Sequence, residues 1–88
     1  MKLFKTADEK LAEIGFKKLE DDLHVFYQRN NQKYGYVHNL DLVHKASGRH
    51  IIQSYQESDG QVVGLTMYEA KLCLQKAKEK GWRVSKHG

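Results

Sequence analysis

Apolar residues recur at helical spacing near both ends of the chain and alternate with polar ones between them. Near the start, Ala7, Leu11 and Ile14 fall on one side of a helix running from Ala7 to about Ile14. Near the end, Met67, Ala70, Cys73, Leu74 and Ala77 make one stripe on a helix from Met67 to about Lys80. The two helices start in the same way, "TADE" from Thr6 and "TMYE" from Thr66. In each, the threonine hydroxyl is placed to accept from the amide three residues on, and the glutamate to reach back to the cap amide. Gly15 and Gly81 supply the left-handed stops, and Trp82 is expected to fold back onto the core.

Between the helices the period is two, broken by turn-forming clusters at "EDD" (20–22), "NNQ" (30–32), "ASG" (46–48) and "SDG" (58–60). The segment from Lys33 to Lys45 puts Tyr34, Tyr36, Leu40 and Leu42 on one face and Asn39 and Asp41 on the other. A two-residue turn at Asn30 and Asn31 would add Tyr27, Val25 and Leu23 to the tyrosine face. That face, with Leu11, Ile14, Cys73, Leu74 and Trp82, is the expected core. The expectation is an α+β fold: a short N-terminal helix, an antiparallel β-meander of about four or five strands, and a C-terminal helix, with both helices on one face of the sheet.

The stretch "VHKASGRHI" (43–51) is nearly symmetric about its centre. A three-residue turn ending in a glycine bulge at Gly48 pairs His44 with His50 and Val43 with Ile51, and sets Lys45 beside Arg49. A two-residue turn would shift every pair. Two facing histidines offer a metal half a site, but a catalytic zinc usually takes three protein ligands. His38 is six residues before His44, so roughly 20 Å away along an extended strand. Ordinary cross-strand histidines are the simpler reading.

At 88 residues the chain reads as a single domain, 1–88, with one modest core. No stretch has the continuous apolar length of a signal peptide or membrane span, so a soluble, cytoplasmic protein is expected. Cys73 is the only cysteine, which excludes an intramolecular disulfide. Within an apolar stripe it reads as structural rather than nucleophilic. The acids at Asp8, Glu9, Asp21 and Asp22 fall at helix starts or turns, where capping suffices to explain them. Phosphate-binding glycine spacings are absent. The chain is therefore expected not to be an enzyme, and to use no cofactor and no metal.

Binding is the remaining class. A net charge of +4 suits anionic partners. Lys45 and Arg49 at the hairpin tip, with Lys76, Lys78, Lys80 and Arg83 on and beyond the second helix, form the candidate anion or nucleic-acid contact, or else a solvated basic surface. "FYQRNNQKYGY" mixes aromatic residues and cations as base-stacking sheets do, although its tyrosines also serve as core. Tyr68 and Leu72, one turn apart, either form an exposed apolar ridge or widen the helix's buried face. Phe26, Val37 and Val43 lie on the sheet face opposite the tyrosines and need cover. Phe26, Val37, Tyr68 and Leu72 are thus the candidate interface for a protein partner or a homodimer. A sequence-tolerant nucleic-acid-binding module is the alternative.

The segments "KYGYVHNLDLVHKASGRHIIQSY" and "VGLTMYEAKLCLQKAKEK" resemble small proteins carried by phages and prophages of Gram-positive bacteria. The resemblance spans roughly Tyr34 to Lys80 and rests on the hairpin and the capped helix. It implies a cytoplasmic, non-enzymatic accessory protein that works by binding a macromolecule, and it carries no activity with it.

Overall fold

A computed structural model describes residues 5–20, 24–33, 35–44 and 50–82. In chain order the elements are α1 (Ala7–Glu13), β1 (Lys17–Glu20), β2 (His24–Asn31), β3 (Tyr36–His44), β4 (His50–Gln56) and α2 (Met67–Glu79). The strands form one antiparallel sheet in the order β1-β2-β3-β4, so each pairs with its neighbour in sequence. This is an α+β fold with a helix at each end of a four-stranded meander.

Both helix starts carry the capping box written in the sequence. Thr6 Oγ1 accepts from the Glu9 amide at 3.2 Å and Thr66 Oγ1 from the Glu69 amide at 3.0 Å. The glutamates return the bond to the cap amides at 3.3 and 2.9 Å. Each such cap is worth about 1 kcal/mol, which matters most for a seven-residue helix that cannot hold itself together. Gly15 (φ 98°) and Gly81 (φ 77°) follow the helices in the left-handed conformation. The chain then re-enters the core at once, through Phe16 after α1 and Trp82 after α2.

The expected turn at Asn30–Asn31 is corrected by the register. Asn31 pairs with Tyr36, so residues 32–35 make the connection, and Tyr27 stands opposite Leu40 rather than Tyr34. The displacement is even, and an even slip leaves every side chain on its original face. The expected face therefore survives the wrong turn: Val25, Tyr27, Leu40 and Leu42 are all buried. They pack with Leu11 of α1 and with Leu72 and Cys73 of α2, which puts both helices on that face. Leu23 and Tyr34 lie outside the described residues. At the second hairpin, Val43 pairs with Ile51 and His44 with His50, as the three-residue turn requires.

The stripe expected to be buried on α2 is not the one that is. Met67 and Leu74 are 90 % and 49 % exposed, whereas Leu72 is 1 % exposed. The buried residues of the helix are Glu69, Leu72, Cys73 and Lys76. Cys73 belongs to both stripes, so α2 is turned about its axis to bring two charged side chains inward in place of two apolar ones.

Candidate functional site

The turn of α2 has an electrostatic cause at each end of its buried face. Near the N-terminal end, Glu69 accepts from Arg29 Nη2 of β2 at 2.7 Å. Arg29 Nη1 also donates to the Ile14 carbonyl at 3.2 Å, and the guanidinium lies 4.3 Å from the centre of the Phe16 ring. Arg29 Nη2 is 3.4 Å from His38 Nδ1. A guanidinium only donates, so Nδ1 accepts; Nε2 carries the proton and donates to Ser54 Oγ at 2.6 Å. Burial, with Arg29 acting in the same sense against an opposing pull from Glu69, lowers the His38 pKa below its ordinary value.

Lys76 anchors the other end. Its Nζ donates to Asp8 Oδ2 at 3.1 Å, and Lys18 Nζ donates to the same oxygen at 2.9 Å. The Tyr27 hydroxyl donates to Asp8 Oδ1. Burial alone would raise the Asp8 pKa, but these three donors outweigh it and bring it down to about 2. Two charges entering a core each cost several kcal/mol unless paired and hydrogen-bonded, so these partners dictate which side of α2 faces in.

What remains on the outside follows from that orientation. α1 lies along the Gln75 and Glu79 side of α2: Lys10 Nζ donates to Gln75 Oε1 at 3.1 Å, and the Ala7 amide donates to Glu79 Oε2 at 3.1 Å. At ~100° per residue Met67 and Leu74 point out to solvent together with Lys71 and Lys78, while the half-buried Ala70 and Ala77 lie on the flank away from α1. α1 also reaches β1 through Asp8 and Lys18, so the flank facing away from α1 is turned towards β4. Trp82, just beyond α2, stacks on His50 at the start of β4 with ring centroids 5.0 Å apart.

β4 is the last strand of the sheet, and its outer edge is partly occupied. Val63 N–H donates to the Ser54 carbonyl at 3.0 Å and Gln56 N–H to the Gln61 carbonyl at 2.8 Å, flanking a bridge between Tyr55 and Val62. These bonds show that even-numbered residues of β4 aim their backbone groups outward. The added segment ends opposite Ser54. An open groove of about 510 Å³ lies against this paired part of the edge, lined by Ile52, Gln53, Ser54, Tyr55, Gly60 and Val62. Ile52 and Val62 are exposed there.

The helix-free face of the sheet is more polar than Phe26 and Val37 suggested. Both are half-buried, and between them Asn39 and Asp41 are buried. Gln28 Nε2 donates to Asn39 Oδ1 at 3.1 Å and Asn39 Nδ2 donates to Glu57. Burial, with Asp41 nearby, raises the Tyr55 pKa. The result is a satisfied polar band across the middle of the sheet, rather than a continuous apolar surface.

The structure thus redistributes the sequence-predicted site residues. Tyr68 is exposed, but its expected partner Leu72 is core, so no Tyr68–Leu72 ridge exists. Lys76 is 8 % exposed and paired with Asp8, which removes it from the basic surface. Lys78 and Lys80 are exposed. Lys45, Arg49 and Arg83 lie outside the described residues. Sequence reasoning missed Arg29, His38 and Glu69 as a cluster, and gave Asp8 only a capping role. The available signal was their phase: Arg29 alternates with Val25 and Tyr27, and His38 with Leu40 and Leu42, so both point to the apolar face.

For catalysis, the buried Cys73 thiol is pushed up to about 12 by its apolar surroundings and by Glu69, which leaves it inert at neutral pH. Among the described residues no group of three His, Cys, Asp or Glu side chains is placed to hold a metal ion. No helix among them is long and apolar enough to cross a membrane. No known protein family, curated protein or solved structure matches the chain.

Proposed function

We propose that this is a non-enzymatic accessory protein whose work is to bind another protein, and that it does so on the side formed by the outer flank of α2 and the edge of β4. The observation that carries the reading is the orientation of α2. A helix with Met67, Ala70, Leu74 and Ala77 on one flank would ordinarily bury them, yet here Met67 and Leu74 are exposed while Glu69 and Lys76 are held inside by dedicated partners. Met67 and Leu74 kept outward at that electrostatic cost, beside the half-buried Ala70 and Ala77, are suited to a partner's surface. The resemblance to phage proteins names no partner and adds no weight to the choice of surface.

Binding to nucleic acid remains the second reading, supported by exposed Lys71, Lys78 and Lys80 on α2 and the net charge of +4. Recovery of a stoichiometric partner from cell extract, with and without nuclease, separates the two when wild type is compared with Leu74→Asp. Protein docking predicts nuclease-insensitive recovery that Leu74→Asp abolishes. Recovery that is nuclease-sensitive, or identical for both proteins, overturns the reading.

A further inference from the structure

We infer that the outward ridge of α2 docks an amphipathic helix of another protein, one whose flanking row is acidic. The inference rests on the protein-binding reading and deepens it by naming the form and charge of the partner.

Three observations support it. First, the ridge has the repeat of a helix-pairing seam. Met67 and Leu74 are exposed and one heptad apart, and each is followed three positions on by a half-buried alanine, Ala70 or Ala77. Residues at these two heptad positions make the seam of paired helices, and the alanines let a second helix approach closely on the side away from α1. Second, the row on the other side of the seam is wholly basic. Lys71 and Lys78 point outward with Met67 and Leu74, and a lysine on a helix ordinarily pairs with an acid three or four positions away. Those positions hold Met67, Tyr68, Leu74 and Gln75 around Lys71, and Leu74, Gln75, Gly81 and Trp82 around Lys78. Neither lysine has an ion-pair partner among the described residues. Third, the same charges exclude a second copy on this seam. In an antiparallel pair of identical helices the lysine row would face itself, and in a parallel pair it would face the row of Cys73 and Lys80, a buried thiol and another lysine. An acidic row on a foreign helix complements the lysines in either direction. The Arg29–Glu69 and Asp8–Lys76 pairs hold the ridge in place before any partner arrives, which lowers the ordering that docking requires.

The test uses synthetic three-heptad helical peptides with blocked ends and the full-length protein. One peptide carries leucine along its seam and glutamate on the flanking rows, and a second replaces the glutamates with lysines. A third has the composition of the acidic peptide reordered to alternate apolar and acidic residues. Amide chemical shifts of the labelled protein locate binding, and anisotropy measures affinity. The acidic helix should bind with its largest shifts between Met67 and Lys78 and exceed the basic one by about tenfold, the effect of two exposed charge contacts. Lys71→Glu with Lys78→Glu should reverse that preference, Leu74→Asp should abolish binding of both, and the reordered peptide should not bind. Equal binding of the reordered peptide, shifts centred on Ile52 or on Phe26 and Val37, an indifferent charge preference, or no binding by either helix overturns the inference. So does sedimentation showing a homodimer that Leu74→Asp dissolves. Binding to a labelled oligonucleotide, or to vesicles of mixed phosphatidylserine and phosphatidylcholine, that the lysine reversals abolish while no peptide binds assigns the ridge to nucleic acid or lipid and overturns it too. If Leu74→Asp still abolishes recovery of a protein partner while no peptide perturbs α2, the acidic helix fails and the docking reading stands.

Discussion

Replacing Glu69 with glutamine probes the contact that sets the orientation of α2. Glutamine keeps the shape and can still accept from the Thr66 amide, so the helix cap survives. What is lost is the countercharge 2.7 Å from Arg29 Nη2. Arg29 would then sit against the Phe16 ring and His38 with only the Ile14 carbonyl as a strong acceptor. Removing one partner of a fully buried pair costs about 3–5 kcal/mol. The Arg29 side chain is 23 % exposed and keeps its bonds to the Ile14 carbonyl and to His38 Nδ1, so the figure is reduced here to about 2–3 kcal/mol. An 88-residue domain has a total stability of roughly 4–13 kcal/mol, so the variant should fold but unfold early. In urea the midpoint should fall by about 1–2 M with an unchanged slope, and in a thermal scan by roughly 10–20 °C. Glu69→Gln combined with Arg29→Met should recover most of the loss, because it removes the stranded charge as well. A cost below about 1 kcal/mol for Glu69→Gln would refute the argument, since a contact that weak belongs to a solvated surface pair and could not hold α2 in place.

Two further predictions concern titration. Asp8 is held down at about 2 against an unfolded value near 3.8, so its contribution is complete above the unfolded value and is lost as the pH falls towards 2. With solvent screening of this part-exposed carboxylate it should amount to about 1–2 kcal/mol, and Asp8→Asn should flatten the fall in midpoint between pH 4 and 2. His38 adds a milder dependence of the same sign: its lowered pKa favours the neutral ring in the folded state, so stability should begin to drop as pH falls below about 6.5, and His38→Gln should remove that part. Finally, Cys73, fully buried and with its thiol pushed up to about 12, should react with a thiol reagent at pH 8 only after denaturant is added; reaction of the native protein at the rate of a small free thiol would contradict its place in the core.

The capping boxes and the sheet faces were legible because each depends on residues a few positions apart. Thr66 and Glu69 announce the start of α2 wherever the helix packs. The faces of β2 and β3 tolerated a misplaced turn because only the parity of the slip matters. The rotation of α2 was not legible by the same means. Its apolar residues give a coherent stripe through Met67 and Leu74, and the competing stripe contains Glu69 and Lys76, which a local reading sends to solvent. Their partners lie 40 and 68 residues away in sequence, in β2 and α1, and pairing over such separations leaves no periodic trace. The Tyr68–Leu72 ridge and the assignment of Lys76 to the basic surface failed for that one reason. A charged residue in phase with core residues, as Arg29 is with Val25 and Tyr27, was the one local hint that an opposite charge had to arrive from elsewhere.

The orientation of α2 underlies both the site and its proposed use, and one pair of variants tests it directly. Leu72→Asp and Leu74→Asp place the same charge two positions apart on the same helix, and urea unfolding measures the cost of each. If Leu72 is core and Leu74 lies on the outer flank, Leu72→Asp should lose about 4 kcal/mol or more, enough to leave much of the protein unfolded in buffer. Leu74→Asp should stay within about 1 kcal/mol of wild type, most of that being the lower helix propensity of aspartate. The opposite order, with Leu74→Asp unfolding the protein and Leu72→Asp tolerated, would return the apolar stripe to the core and contradict the outward flank on which the binding site depends.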